Sequence, residues 1–311
     1  MNKFIVRLIS NVLLILLFLT SCSYAKKAPE SLPQIDPSAR IKSVTFKQEI
    51  NTPVMALAAV IPEEEMDTHI ENITPNMPKE KALKVMTYNI RHGLGTDEQL
   101  DLERVIDTIK SVDPDIVALN EVDHLMLRSQ IQKQDEMIAS ALGYNLAYGY
   151  NINIGGKYGN VLLAKYPIKS WVNHKLPKHP LSEPRGLMEA DLDIDGEVLK
   201  VMITHLSIKE KERPEQVNFI TKKLEEVSQP KILMGDFNNN PSSEIIKQIT
   251  AVMKDTAIKE YNTFPANNPK KRTDYIFVSD KIKVKSSQSV MSEASDHLPV
   301  VAELVLQQTE D

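Results

Sequence analysis

The sequence has a single cysteine, Cys22, among its 311 residues. No intramolecular disulfide can form, so the folded protein depends on its apolar core rather than on a covalent cross-link. The hydrophobic content of 42% is sufficient for one large domain, although the length alone would also allow two smaller ones.

The sequence also lacks an excess of positive charge. It has 37 basic and 42 acidic residues, and a net charge of -5. Without residues 1–22, which contain two basic residues and no acidic one, 35 basic and 42 acidic residues remain. Proteins that bind nucleic-acid backbones through bulk charge are usually basic, so this composition disfavours tight, non-specific DNA binding. A local basic patch is still compatible with this overall composition.

Residues 1–22 have the pattern of a leader. Lys3 and Arg7 precede an apolar run from Val12 to Leu19, which is short for a membrane-spanning helix and typical of a signal-peptide core. An uncleaved membrane anchor is the alternative. Residues 19–22, Leu-Thr-Ser-Cys, resemble the bacterial lipobox, which implies lipidation of Cys22 after cleavage before it. Several acyl chains on one cysteine give stable anchoring. We therefore expect a lipid-anchored protein of the bacterial cell envelope, on the inner or outer membrane, with its domain outside the cytoplasm.

Residues 23–80 are rich in proline and polar residues, and we interpret them as a tether. Within this segment, Ile41–Phe46 alternates apolar and polar residues and could add an edge strand. The apolar stretch Met55–Ile61 could pack on the domain. We predict the domain itself at residues 81–307, followed by a tail at 308–311.

Short apolar runs alternate with helical patterns in the predicted domain. The runs predict strands at Asp115–Leu119, Val161–Ala164, Leu199–Ile203, Ile232–Met234, Tyr275–Val278 and Pro299–Leu306. Asp195-Gly196 predicts a hairpin turn. Apolar residues at helical spacing predict helices around Leu102–Ile109, around Val217–Val227 with Pro214 near the start, and after a capping Ser242. This alternation favours a layered α/β domain with a buried sheet core.

Polar residues that could carry chemistry occur where these apolar runs end. They are Asn89, Asn120-Glu121, His205, Asp236-Phe237-Asn238 and Asp296-His297. Taken singly, each could be a turn residue, a solvated acid, a core histidine or part of an ion pair. Taken together, carboxylates and amides suit Mg²⁺ or Mn²⁺, and histidines suit acid-base work or phosphate contact. The lack of cysteine in the domain argues against a thiolate zinc site.

In their order along the chain, these blocks resemble the endonuclease/exonuclease/phosphatase superfamily. The matching blocks are Tyr88-Asn89-Ile90, Asn120-Glu121-Val122, Thr204-His205-Leu206, Gly235-Asp236-Phe237-Asn238, Thr273-Asp274-Tyr275-Ile276 and Ser295-Asp296-His297. The resemblance extends over about residues 83–306. It implies a four-layer α/β sandwich, in which two mixed sheets pack face to face with helices outside.

The resemblance also implies a metal site and a mechanism of hydrolysis by an activated water. Glu121 would be the principal ligand of Mg²⁺ or Mn²⁺, helped by Asn89 and Asp296. The family often has glutamine before this glutamate. Here that residue is Asn120, and we expect little effect on metal binding.

The remaining blocks are implied to act on the water and on the phosphate. Asp236 would orient or deprotonate the water, and Asn238 would bind a phosphate oxygen. His297 would contact the phosphate, with Asp274 holding its imidazole. His205 matches the general-acid histidine of the DNase branch. In-line attack at phosphorus needs an activated water, neutralisation of charge on the non-bridging oxygens and a proton for the leaving oxygen.

Three other residues are candidate substrate contacts. Asn160 matches a recurrent Gly-Asn block of bacterial members, and otherwise would be a turn residue. Arg185 could place its guanidinium on a phosphate or form a loop salt bridge. Arg91 follows Asn89 closely and could line the pocket.

The resemblance leaves the substrate open. We favour hydrolysis of a phosphodiester at a membrane surface or in the periplasm, and a lipid or headgroup phosphodiesterase fits a membrane-tethered acidic protein. A nuclease acting on DNA or RNA fits the His205 pattern but not the net charge, and a phosphomonoesterase is a further alternative. A catalytically inactive binding protein is disfavoured by the intact residue set. We expect a monomer that binds a phosphoester substrate and the membrane.

Overall fold

The computed structural model describes residues 80–307. The leader, Cys22, the proline-rich segment with its possible strand at Ile41–Phe46, and residues 308–311 lie outside the described residues. Among residues 80–307, no helix combines the length and the apolar character needed to cross a membrane.

The described part of the chain contains twelve strands and four α-helices. The strands are β1 (Glu80–Asn89), β2 (Ile116–His124), β3 (Asn145–Asn153), β4 (Lys157–Ala164), β5 (Ile168–Lys175), β6 (Gly186–Ile194), β7 (Glu197–His205), β8 (Lys231–Asp236), β9 (Lys254–Asp255), β10 (Asp274–Val278), β11 (Ile282–Ser289) and β12 (Val300–Gln307). The helices are α1 (Leu102–Val112), α2 (Gln134–Leu142), α3 (Arg213–Glu225) and α4 (Glu244–Thr250).

The strands form two six-stranded mixed sheets. Their orders are β11-β12-β1-β2-β4-β3 and β5-β6-β7-β8-β10-β9. Within each sheet the central pair, β1-β2 or β7-β8, is parallel. Buried residues of both sheets, such as Val85 and Ile203, belong to one apolar cluster, so the sheets pack face to face.

The helices cover the outer faces of the sheets. Residues of α1 and α2 share a cluster with the first sheet, and residues of α3 and α4 share one with the second. In α1, Asp101 caps the helix by accepting from the backbone N–H of Glu103, and apolar residues at helical spacing face the sheet. This arrangement confirms the predicted four-layer α/β sandwich.

All connections that follow β1, β2, β7 and β8 leave the sandwich at one end, which we call the catalytic end. The two connections between the sheets, residues 165–167 and 279–281, both lie at the opposite end. The chain therefore completes the whole second sheet as a continuous insertion between β4 and β11 of the first.

The predicted strands are confirmed, and Asp195-Gly196 forms the turn between β6 and β7 with positive φ at both residues. The predicted cap of α4 was one residue early, because the side chain of Ser243, not Ser242, accepts the N–H of Ile246. The sequence patterns did not indicate α2 or the sheet-edge strands β3, β5, β9 and β11.

Candidate active site

The strand register brings the polar strand ends together. Asn89, the last residue of β1, lies opposite Asn120, where the parallel pairing of β1 with β2 ends although β2 itself continues to His124. His205 lies opposite Asp236 at the ends of β7 and β8, and Asp274 opens β10 on the other side of Asp236. Because the two sheets pack face to face, these ends form one cluster at the catalytic end.

Asp236 is the centre of this cluster and is buried. Its Oδ2 atom lies 3.2 Å from Nδ2 of Asn89, 3.4 Å from Nε2 of His205 and 3.8 Å from Nε2 of His297. Its Oδ1 atom accepts the backbone N–H of Asn238 at 2.8 Å. Burial, and then the charge of Asp274, raise the pKa of Asp236 above its ordinary value. Three side chains from three different strands and loops therefore converge on one carboxylate oxygen.

His297 and Asp274 form a buried pair beside Asp236. Nδ1 of His297 lies 2.9 Å from Oδ2 of Asp274, which also accepts from the hydroxyl of Thr273 at 3.0 Å. Burial lowers the pKa of His297, but the carboxylates of Asp274 and Asp236 outweigh it and raise this pKa to about 10. His297 is therefore an imidazolium near neutral pH, oriented by Asp274 as expected from the sequence.

His205 has a different partner. Nη1 of Arg185 lies 2.8 Å from Nδ1 of His205. A guanidinium can only donate, so Nδ1 accepts and the ring proton of a neutral His205 is on Nε2, facing Asp236. Burial and the positive charges of Arg185 and His297 hold the pKa of His205 well below its ordinary value. His205 is thus placed to donate its Nε2 proton towards Asp236, and its predicted role as a general acid stays a prediction.

A buried amide network supports Asp236, and its central residue is Asn120, for which the sequence predicted no role of its own. Oδ1 of Asn120 accepts the backbone N–H of Asp236 at 3.0 Å, and its Nδ2 donates to the carbonyl of Thr204 and to Oδ1 of Asn160. Asn160 is itself buried, so the structure places it beneath the site, where it positions Asn120. The position of Asn120 directly after the apolar run of residues 116–119 and before Glu121 was the available signal.

Gly235 allows β8 to approach β7 closely. It has a φ of +140°, and a Cβ atom there would lie 1.9 Å from the carbonyl oxygen of Thr204. Only glycine fits without moving one of the two central strands.

The predicted metal ligands lie on the first-sheet side of the cluster. Nδ2 of Asn89 donates to Oε1 of Glu121 at 3.0 Å, while Oδ1 of Asn89 accepts the backbone N–H of Arg91 at 3.1 Å. Asp296 is linked to the same strand end through Ser295, whose hydroxyl donates to the carbonyl of Asn89 at 2.7 Å. In this arrangement Asn89 directs its amide nitrogen, not its oxygen, at Glu121 and Asp236.

These residues fit a divalent cation by their donor chemistry. Glu121 and Asp296 supply carboxylate oxygens, which Mg²⁺ and Mn²⁺ prefer. Burial raises the pKa of Glu121, so a nearby cation would stabilise its charged form. Asp236, Asp274 and His297 form a second group whose ligand atoms lie within 4.8 Å of one another, but there His297 and Asp274 already pair.

The two remaining candidates border the cluster. The side chain of Asn238 donates to the carbonyl of Leu206 at 3.0 Å, and Asn238 lines a groove of about 450 Å³ together with His297. Arg91 forms an ion pair with Glu98 at 2.8 Å and lies 3.8 Å from Asp296. Arg91 is therefore at the rim of the predicted metal site.

Comparisons with known proteins agree with this fold. The uncharacterized protein YbhP of Escherichia coli K12 is 26% identical over 253 residues, which are 75% of this chain and 100% of YbhP. An endonuclease/exonuclease/phosphatase from Bacteroides vulgatus has the same fold, with a TM-score of 0.61 and 24% identity over 72% of this chain and 98% of that chain. So does a mannosyl-6-phosphatase from Bacteroides thetaiotaomicron, with a TM-score of 0.61 and 20% identity over 71% and 99% of the two chains.

Residues 86–297 match the sequence model of one family over more than half of the chain. The strand-end cluster described above lies within this range. The chain therefore belongs to the Endonuclease/Exonuclease/phosphatase family.

Proposed function

We propose that the protein is a divalent-metal-dependent phosphodiesterase that uses a water activated at Asp236. The observation that carries the proposal is the convergence of Asn89, His205 and His297 on Oδ2 of Asp236, within 3.2–3.8 Å. A buried carboxylate with a raised pKa is suited to accept a proton from a water beside a phosphate.

The side chains around Asp236 would have different roles in hydrolysis. The imidazolium of His297, held by Asp274, lies where it can stabilise negative charge on a phosphate oxygen. His205 offers its Nε2 proton as a neutral donor. A divalent cation held by Glu121 and Asp296 would neutralise further charge on the phosphate.

Two grooves adjoin the cluster, one through His297 and the other through Arg185, which favours a diester over a monoester. One groove, of about 450 Å³, is lined by His297, Asn238 and Lys271. The other, of about 670 Å³, is lined by Arg185, Tyr150 and Trp171. A phosphodiester has an organic group on both sides of phosphorus, and each groove could hold one of them.

The proposed site of action is a membrane surface or the periplasm. The support is the resemblance of residues 19–22 to a lipobox after a basic start and an apolar run. Intact-mass analysis of membrane-extracted protein should find a lipidated Cys22 as the first residue. A protein that still begins with Met1 would refute the anchor.

A substrate panel with matched variants tests the activity. Purified protein is assayed with bis(p-nitrophenyl) phosphate, p-nitrophenyl phosphate, plasmid DNA, RNA, sphingomyelin and phosphatidylinositol, with Mg²⁺, with Mn²⁺ and with EDTA. We expect diester hydrolysis that EDTA abolishes and that His297→Ala and His205→Ala each reduce by about 100-fold or more. His174→Ala is the control. His174 lies on β5 and pairs with Glu189 on β6, outside the cluster.

Two results would contradict the proposal. One is equal diester hydrolysis by the wild type and both site variants, and the other is activity that EDTA leaves unchanged. Faster hydrolysis of monoesters than of diesters would retain the metal-dependent phosphoesterase but reject the diester substrate.

A further inference from the structure

Exposed apolar residues are concentrated at the catalytic end. Among residues 80–307, seven large apolar side chains are more than half exposed, and six of them lie in connections at that end. The six are Leu127, Ile131, Ile154, Leu181, Ile208 and Met291, while the seventh, Ile258, follows the edge strand β9, whose Asp255 pairs with Phe277 towards the opposite end. Scattered exposed apolar residues are ordinary on a protein surface, but the concentration of six at one end indicates a function there.

One group of these residues lies on two adjacent loops of the first sheet. Leu127 and Ile131 belong to the connection from β2 to α2, and Ile154 lies in the turn between β3 and β4. The two loops touch, since a Cβ atom on Gly156 would lie 2.6 Å from the carbonyl oxygen of Leu125. The three side chains therefore lie on neighbouring segments.

A second group lies on two joined loops of the second sheet. Leu181 is in the connection from β5 to β6, and Ile208 is in the connection from β7 to α3. Nζ of Lys209 donates to the hydroxyl of Ser182 at 2.8 Å, which holds the loops together. We call Leu127, Ile131, Ile154, Leu181 and Ile208 the apolar rim.

The rim is accompanied by basic residues, although the whole chain is acidic. Residues 125–133, 153–157, 175–185 and 206–212, which carry the rim, together contain eight basic residues and three acidic residues, Glu183, Glu210 and Glu212. The basic residues are Arg128, Lys133, Lys157, Lys175, Lys178, Arg185, Lys209 and Lys211. Apolar side chains surrounded by lysine and arginine complement a bilayer with anionic headgroups.

Aromatic residues occupy the groove between the two loop groups. Tyr150 and Trp171 are about half exposed, and they line the groove of about 670 Å³ with Lys175 and Lys178. Tyrosine, tryptophan and lysine are favoured at the level of lipid headgroups, where an apolar body and a polar tip are both accommodated. Arg185 lines the same groove and contacts His205, so the groove adjoins the reactive cluster.

The point where residues 23–79 join the domain is compatible with the apolar rim facing a membrane. β1 begins at Glu80 at the end opposite to the rim. The 57 residues 23–79 have a fully extended length of about 190 Å, whereas a ten-residue strand spans about 33 Å. An anchor at Cys22 could therefore reach past the domain and leave the rim facing the membrane.

We propose that the apolar rim docks the catalytic end on an anionic phospholipid bilayer, so that a membrane phosphoester enters through the aromatic groove. The proposal rests on the proposed function for one point, that substrate enters at the catalytic end. Docking itself can be measured without any catalysis.

Vesicle co-sedimentation tests the proposal. The protein lacking residues 1–22 is used, since the domain of the Bacteroides vulgatus relative forms this fold over 98% of its own chain. It is mixed with vesicles of phosphatidylglycerol and phosphatidylcholine, or of phosphatidylcholine alone. We expect binding that increases with phosphatidylglycerol and decreases with salt. The variant Leu127→Ser/Ile131→Ser/Ile154→Ser/Leu181→Ser should bind at least about tenfold more weakly, because each serine removes an apolar side chain from the interface.

Matched measurements separate docking from folding and from catalysis. Val198→Ser/Val252→Ser removes two exposed apolar residues at the opposite end and should bind vesicles like the wild type. Thermal unfolding of the rim variant should not shift to lower temperature, and its hydrolysis of soluble bis(p-nitrophenyl) phosphate should be unchanged. Glu121→Gln should lose hydrolysis but keep vesicle binding, so a failure of the proposed function would leave docking measurable.

Three outcomes would overturn the proposal. The first is no vesicle binding by the wild type, and the second is equal binding by the wild type and the rim variant. The third is a wild-type dimer that the rim substitutions convert to a monomer while vesicle binding persists, which would identify the rim as an interface between two copies of the chain.

Discussion

Nη1 of Arg185 lies 2.8 Å from Nδ1 of His205, so a cation rather than a carboxylate orients this imidazole. The opposite holds for His297, whose Nδ1 faces Asp274 at 2.9 Å. The two histidines beside Asp236 are thereby placed in different protonation states. Pairs of titratable groups whose surroundings separate their pKa values can divide catalytic roles between them.

Replacement of Arg185 should change the tautomer of His205. In Arg185→Met the guanidinium that donates to Nδ1 is absent, and one of the positive charges that lower the pKa of His205 is removed, so this pKa should rise. We expect kcat to fall about tenfold or more, because a hydrogen bond to a charged group is lost.

Imidazole ¹⁵N NMR and a pH profile of kcat measure this effect. Arg185→Lys is the control, since it keeps the charge and should change the pKa of His205 less. A proton on Nδ1 of His205 in the wild type would contradict the assigned tautomer.

The pair formed by His297 and Asp274 should make stability depend on alkaline pH. The pKa of His297 is raised to about 10, above its ordinary value of 6.5. The folded state therefore binds this proton more tightly than the unfolded state does. The resulting stabilisation is complete below about pH 6.5 and is lost as the pH rises towards 10.

Urea unfolding in EDTA at pH 6, 8 and 10 measures this contribution. The wild type should lose stability across that range, and His297→Gln should lose less. The same decline in both proteins would assign the pH dependence to other groups.

Alanine at Gly235 should disrupt the contact between β7 and β8. The added Cβ would lie 1.9 Å from the carbonyl oxygen of Thr204, and φ at this position is +140°. We expect the free energy of unfolding to fall by about 3 kcal/mol, since overpacking and backbone strain add. Gly143→Ala is the control for backbone strain without a clash, because Gly143 has a φ of +70° with no atom within 4 Å of the new Cβ. It should lose only about 1 kcal/mol in urea unfolding.

Ile131 should be replaceable with a gain in stability. Its φ is +61°, a conformation that β-branched residues disfavour and asparagine tolerates. The side chain is 58% exposed, so little apolar burial would be lost. We expect Ile131→Asn to raise the free energy of unfolding by about 1 kcal/mol while weakening vesicle binding. An unchanged urea midpoint would show that Ile131 is not strained.

The sequence predicted the parts of the fold that depend on burial. Central strands such as β2 and β8 are continuous apolar runs, because both of their faces are covered, and such runs are easy to recognise. The edge strands β5 and β11 are largely polar, and β9 has only two residues, so no apolar pattern marks them. In helix α2 the polar residues Gln134 and Asp135 are buried and the apolar Met137 is exposed, which obscures its helical period.

The candidate site was predictable to the extent that its residues end strands. Asn89, His205 and Asp236 each follow an apolar run, and a rigid sheet edge brings such residues together. Their partners could not be predicted, because Asn120 and Arg185 reach across elements distant in sequence. A single sequence indicates that a polar residue ends a strand, but not what that residue contacts.

The positions of the two connections between the sheets have a mechanical consequence. Because residues 165–167 and 279–281 both lie at the far end, no chain connection joins the two sheets at the catalytic end within residues 80–307. At that end, His205 and Asp236 of the second sheet are held against Asn89 and Glu121 of the first only by non-covalent contacts such as that between Asn89 and Asp236. Substrate binding across the cleft would clamp the two sheets together, so we expect slower backbone hydrogen exchange in both sheets when a ligand is bound.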